Sequence, residues 1–132
     1  MDDAWKTHSL PLLALLTTAA LVAGTVGAHH SIGGEFDNSR QVTVEGIVTE
    51  YKLINPHTYI VVTVENAGRS EDWTLTFGPA TKLVRGSGWN ATTLKSGDRV
   101  TATGRPARKG LGMYLSALVK ADGTVLIDEL EE

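Results

Sequence analysis

Residues 41–53 read QVTVEGIVTEYKL, and the alternation in this stretch is the strongest constraint on what the chain can fold into. Val42, Val44, Gly46 and Val48 fall on one face, and Thr43, Glu45, Ile47 and Thr49 on the other. Only an extended strand has a side-chain period of two, and one apolar face with one mixed face describes a half-buried strand. Gly46 leaves a pleat without a side chain, a device for a bulge or a sharp bend. The same signature recurs in NPHTYIVVTVEN (residues 55–66), where Pro56 breaks the chain before a β-branched run. It recurs again in SEDWTLTFG (residues 70–78), with Trp73, Leu75 and Phe77 on one face, and AGR between them reads as a hairpin turn. Two further alternating segments, RVTATGRPA and MYLSALVK, follow near the C-terminus, the second with an Asp122-Gly123 hairpin signal behind it.

Between the third and fourth strands the period changes. GPATKLVRGSGW offers Pro79 at a first helical position and Gly86 just past a short helix. Three strands, one short helix and two strands is the order of the five-stranded OB-like Greek-key barrel, and the fold class expected is all-β. An open sandwich of the same strands is the alternative. A mid-strand glycine in the first strand suits the barrel, because that strand must bend for the sheet to close.

The first 28 residues have a different character. A short polar start with Lys6 leads into an apolar stretch from Leu10 to about Ala23, followed by small residues ending Val26-Gly27-Ala28. This is the layout of a secretory signal peptide. Thr17, Thr18, Gly24 and Thr25 interrupt the run, which falls short of the ~20 apolar residues a spanning helix needs. The expected organisation is a cleaved signal peptide over residues 1–28, a His-containing arm over 29–40 and a barrel domain over 41–132. The expected compartment is periplasmic or secreted, in a bacterium, with no membrane span after cleavage.

Composition narrows the functions. The chain carries no cysteine and a formal net charge of −3. Disulfides, thiol chemistry and thiolate metal sites are therefore absent, and the weak acidity disfavours nucleic acid, whose affinity comes largely from neutralising phosphates. No nucleophile elbow, His-Glu-x-x-His pair, phosphate-cradling loop or haem-attachment motif is present, so a non-catalytic protein is expected.

Two of the four histidines, His29 and His30, stand directly behind the small-residue junction. Cleavage after Ala28 gives His29 a free α-amine, which with its Nδ1 can chelate one metal, and a third imidazole nitrogen would complete a set suited to Cu(II). His57 is the candidate for that nitrogen, with His30 less favourable in geometry. Cleavage after Gly27 would instead put a histidine third in an Ala28-His29-His30 start, a square-planar copper chelator. Copper is thus the candidate cofactor, and Glu35 and Asp37 are candidates to orient an imidazole or add an oxygen ligand. The competing reading is a mobile terminus without a role and a His57 that hydrogen-bonds a neighbouring loop. Asn55 and Pro56 shape the loop that carries His57, and Tyr51 and Tyr59 flank it as candidate contact residues. An envelope protein bound through this face is the alternative to metal binding, and a carbohydrate stacked on exposed aromatics is a weaker one. Arg105, Arg108 and Lys109 read as a small basic loop, and Asn90-Ala91-Thr92 matches a glycosylation sequon.

The stretches AHHSIGGEFD, VTVEGIVTEYKLINPHTYIVVTVEN and LKSGDRVTATGRPA together resemble a family of small exported bacterial proteins known only as a domain of unknown function. The positions that carry the resemblance are His29, His30, Ser31, Asn55, Pro56 and His57. It implies export and a common β fold, and names no activity.

Overall fold

A computed structural model of the chain describes residues 32–129; the segment expected to be a signal peptide, His29, His30 and Ser31 lie outside them. The elements are α1 (Ile32–Glu35), β1 (Val42–Lys52), β2 (Thr58–Asn66), β3 (Arg69–Phe77), α2 (Ala80–Ser87), β4 (Arg99–Pro106), β5 (Gly112–Lys120) and β6 (Val125–Asp128). Among the described residues no helix is long and apolar enough to cross a membrane.

The strands form one sheet in the order β3-β2-β1-β4-β5-β6, and a parallel pairing of β3 with β5 closes it. Thr74, Leu75 and Thr76 meet Gly112, Met113 and Tyr114 across that seam. The long β1 serves two neighbours: Val42 to Ile47 pair with β4, and Ile47 to Lys52 pair with β2. The result is a closed OB-like barrel with its helix between the third and fourth strands, as the strand order predicts.

Alternation carries directly into burial. Val48, Ile60, Val62, Leu75, Val100, Ala102, Met113, Leu115 and Leu118 fill the interior at essentially zero exposure. Each large aliphatic side chain so buried contributes roughly 1.5–3 kcal/mol. The helix itself buries no residue. The barrel end is instead plugged by Trp89 and Leu94 from the segment after the helix, with Trp89 edge-on to Phe77 at 5.1 Å between ring centroids.

Three local expectations are corrected. Pro79 is the N-cap of α2 and not its first residue, and Gly86 lies inside the helix, which ends at Gly88 in the left-handed region. Gly88 can take φ 70° without a Cβ clash, and that lets the Trp89 amide reach back to the Leu83 carbonyl. The bulge in β1 falls between Val48 and Glu50 rather than at Gly46. Gly46 instead marks a close approach, since a Cβ there would stand 2.7 Å from the Thr63 carbonyl oxygen. The AGR turn is as expected, with Ala67 and Gly68 both at positive φ, as a two-residue type I′ hairpin requires.

The tightest approach in the barrel is at Gly104, where β4 shifts register against β5 and a Cβ would lie 2.2 Å from the Tyr114 carbonyl oxygen. Backbone on backbone cannot relax as a side chain can. Gly104→Ala is expected to cost about 3 kcal/mol or more. Gly110→Ala, at φ 76° with open space around it, should cost only about 1 kcal/mol. Urea denaturation midpoints of the two variants check the difference.

Candidate functional site

The loop between β1 and β2 is held by α2. Asn55 Oδ1 accepts from the Thr81 amide at 3.3 Å and from the Thr81 hydroxyl at 3.4 Å. Pro79 supplies no side-chain cap for the helix, so Asn55 satisfies an amide of the first turn from a distant part of the sequence. The Ile54 carbonyl accepts from the Ala80 amide at 3.1 Å, and the Thr58 amide donates to the Gly78 carbonyl at 3.0 Å. The Asn55–Pro56 peptide bond is cis. Ile54, Asn55 and Thr58 thus pin the loop to the helix start.

His57 is exposed on this anchored loop and forms no hydrogen bond or ion pair with any described residue. The expected alternative, an imidazole satisfied by a neighbouring loop, is therefore absent among the described residues, and the loop's structural bonds belong to Asn55.

Tyr51 and Tyr59 do not form one contact face. Tyr51 sits opposite Ile60 in the ladder and Tyr59 opposite Lys52, so the two phenols project to opposite sides of the sheet. Tyr51 packs on Trp89 at 6.1 Å between centroids and donates to the Asn90 carbonyl at 3.0 Å. Burial pushes its phenol above the ordinary range. Tyr59 lies on the outer face and donates to Glu50 Oε1 at 3.1 Å, with Lys52 3.6 Å from the same carboxylate.

The described part of the arm docks elsewhere. Phe36 is buried, bridges to Ala107 and meets the Tyr114 ring edge-on at 5.7 Å. The Asp37 amide donates to the Pro106 carbonyl, and the Arg108 amide to the Glu35 carbonyl, each at 2.9 Å. The Asp37 carboxylate accepts from the Ser39 hydroxyl at 2.7 Å and the Ser39 amide at 3.1 Å, which hold it below the usual carboxylate range. Neither Glu35 nor Asp37 contacts His57; the Asp37 carboxylate is engaged within the arm, and Glu35 bonds Arg108 through its backbone carbonyl. Among the described residues no group of three or more His, Asp and Glu side chains is arranged to hold a metal.

Arg105 is a residue the sequence reading misplaced. It belongs to β4 and not to a basic loop, with its guanidinium 5.0 Å over the Tyr114 ring and its Nη1 donating to Asn38 Oδ1 at 3.1 Å. The signal was there in the alternation, since Arg105 continues the outward-facing set of Thr101 and Thr103. Two concave regions lie nearby. A cleft of about 390 Å³ separates α2 from β6, lined by Phe77, Lys82, Leu83, Tyr114, Leu126 and Ile127 among others. A polar hollow of about 420 Å³ lies between the arm, Arg105 and Glu129.

Asn55→Ala removes the bond that caps α2 and is expected to cost about 1 kcal/mol. Amide exchange at Thr81 should quicken in the variant while exchange in the barrel strands is unchanged.

Among solved structures, the chain is similar to the mitochondrial single-stranded DNA binding protein Rim1 of S. cerevisiae in two crystal forms. The first matches with a TM-score of 0.48 at 9% identity, covering 62% of this chain and 92% of that one. The second matches with a TM-score of 0.46 at 8% identity, covering 64% and 97%. No curated relative matches the chain. Residues 17–115, which take in α1, all of β1 to β4 and the first part of β5, match one family along their whole length. The chain belongs to the family of unknown function DUF6152.

Proposed function

We propose that the protein is an exported, non-catalytic binding protein of the bacterial periplasm that holds one copper ion. The mature N-terminal His29 supplies its α-amine and imidazole, and His57 supplies a third nitrogen, with His30 as the adjoining alternative. The observation that carries this reading is the small-residue junction falling directly before His29 and His30.

The docking of the arm beside Tyr114 supports the pairing with His57. Phe36 packs on Tyr114, Tyr114 pairs with Thr76, and the neighbouring Phe77 pairs with Thr58, the residue after His57. Two ladder steps, each about 4.8 Å, separate Tyr114, on which the arm packs, from Thr58 beside His57. The four-residue helix α1 covers about 6 Å back from Phe36, and residues 29–31 before it can add up to about 10 Å when extended. The exposed imidazole of His57, without a bond to any described residue, has its nitrogens available for a ligand. The Asp37 carboxylate is engaged by Ser39, which leaves Glu35 as the freer of the two candidates to support an imidazole of the arm.

A second reading, an adaptor in a cell-envelope complex, is favoured by one observation. Ile54 beside the loop and Leu111 in the turn before β5 are each 45% exposed, apolar side chains of the kind a protein partner covers. The carbohydrate reading loses support from the aromatics, since Tyr51 is packed on Trp89 and Tyr59 is engaged by Glu50.

Protein recovered from the periplasm is expected to begin at His29 and to carry one copper in its native mass spectrum. Extending the terminus by three residues without histidine removes the amine–imidazole chelate, leaves no histidine in the third position, and should abolish tight Cu(II) binding. His57→Ala should weaken binding by at least the ~10- to 100-fold that loss of a supporting group costs at a metal site. Because amine and imidazole must both be deprotonated to bind, affinity falls as pH drops below about 8, where the α-amine takes up its proton, and falls more steeply once the imidazoles protonate as well. A His29-initiated chain with no copper affinity, or with affinity indifferent to the extension, would overturn the reading.

A further inference from the structure

The strongest unassigned feature of the molecule is the state of Arg105. Its Nη1 is used by Asn38, and its face lies on Tyr114. Its Nε is shielded from solvent and has no hydrogen-bond partner, and no carboxylate lies within ion-pairing distance of the guanidinium among the described residues. A guanidinium cannot shed its proton to escape this, since it stays charged at any ordinary pH. A half-buried charge with an orphaned donor is costly unless something pairs with it.

The hollow beside it has the composition of a site for that something. Its wall carries Arg40 as a second guanidinium, with Asn38, Ser39, Gln41 and Ser116 as polar groups around it. The Arg40 side chain makes no bond to any described residue, so its donors are uncommitted. Glu129 is the one carboxylate lining the hollow, and it pairs with neither arginine although it shares their cavity. The volume of about 420 Å³ has room for a small multi-oxygen anion with its water. Arg is the side chain best matched to such a ligand, because its planar fork donates two parallel bonds to a carboxylate or a phosphate.

We propose that the hollow between the arm, β4 and β5 is a binding site for a small polyoxygen anion, a phosphate or a carboxylate, held by Arg105 and Arg40. The site would also lock the arm, because Asn38 bonds Arg105 while Phe36 and Arg105 pack on the same tyrosine ring. It is independent of copper binding and uses none of the histidines.

Calorimetric titration of the full-length protein in metal-free buffer tests this, with inorganic phosphate and citrate in separate arms and chloride at matched ionic strength as the control. Saturable binding of phosphate, citrate or both at millimolar concentration is expected, with the arm that binds more tightly naming the ligand chemistry. Arg40→Gln, at an exposed position whose side chain makes no hydrogen bond to a described residue, should weaken that binding about tenfold while leaving the thermal midpoint without anion unchanged. Arg105→Lys keeps the charge but loses the fork, and should weaken it at least as much. No binding beyond the chloride control, or binding that neither substitution alters, would overturn the proposal.

Discussion

Closure of the sheet between β3 and β5 is the constraint on which the rest of the molecule depends. Three residues of each strand meet in parallel there, and without that seam both strands would present unpaired edges to water. The seam demands that backbones approach where side chains would interfere. A Cβ on Gly112 would stand 2.9 Å from the Thr74 carbonyl oxygen, and the neighbouring strand turns in over Tyr114 only because residue 104 is glycine. Two glycines thus do for the barrel what no packing of large side chains could: they let main chain lie against main chain.

Everything that gives the surface its chemistry is arranged relative to that seam. Tyr114 is a seam residue, and Phe36 of the arm and Arg105 of β4 both pack on its ring. Burial and the Glu129 carboxylate push its phenol above the ordinary range while Arg105 acts against them, so the ring stays neutral across the physiological range. Phe77, one residue beyond the seam in β3, pairs with Thr58 and anchors the loop of His57. The arm and the loop, which lie on opposite sides of β1 in sequence, are therefore brought within two strands of each other by closure alone.

Local sequence and tertiary context divide the work at the Asn-Pro-His loop. An asparagine before a proline promises a turn, and the turn is present. The identity of the group that Asn55 bonds is a different matter. Its partner, Thr81, lies 26 residues away, and the need for it arises because Pro79 cannot cap the helix it precedes. Once Asn55 takes that task, His57 is left as the loop residue with its side chain uncommitted among the described residues. The tyrosines show the opposite outcome: adjacency to the loop suggested a shared face, but the ladder register puts Ile60 opposite Tyr51 and so sends Tyr59 to the other side.

The sequence by itself determined the strands, their inward faces and the position of the helix, because a period of two and its interruption are local properties that each segment carries alone. It also determined the histidine junction and the absence of thiol chemistry. Only the tertiary structure decided which segments meet: that Trp89 and Leu94 plug the barrel where the helix buries nothing, that the β1 bulge lies beyond Gly46, that Asn55 caps α2, and that Arg105 faces a polar hollow with an orphaned donor. The physical reason is that hydrogen-bond satisfaction and close packing are settled between residues far apart in the chain, and no window of sequence contains both partners.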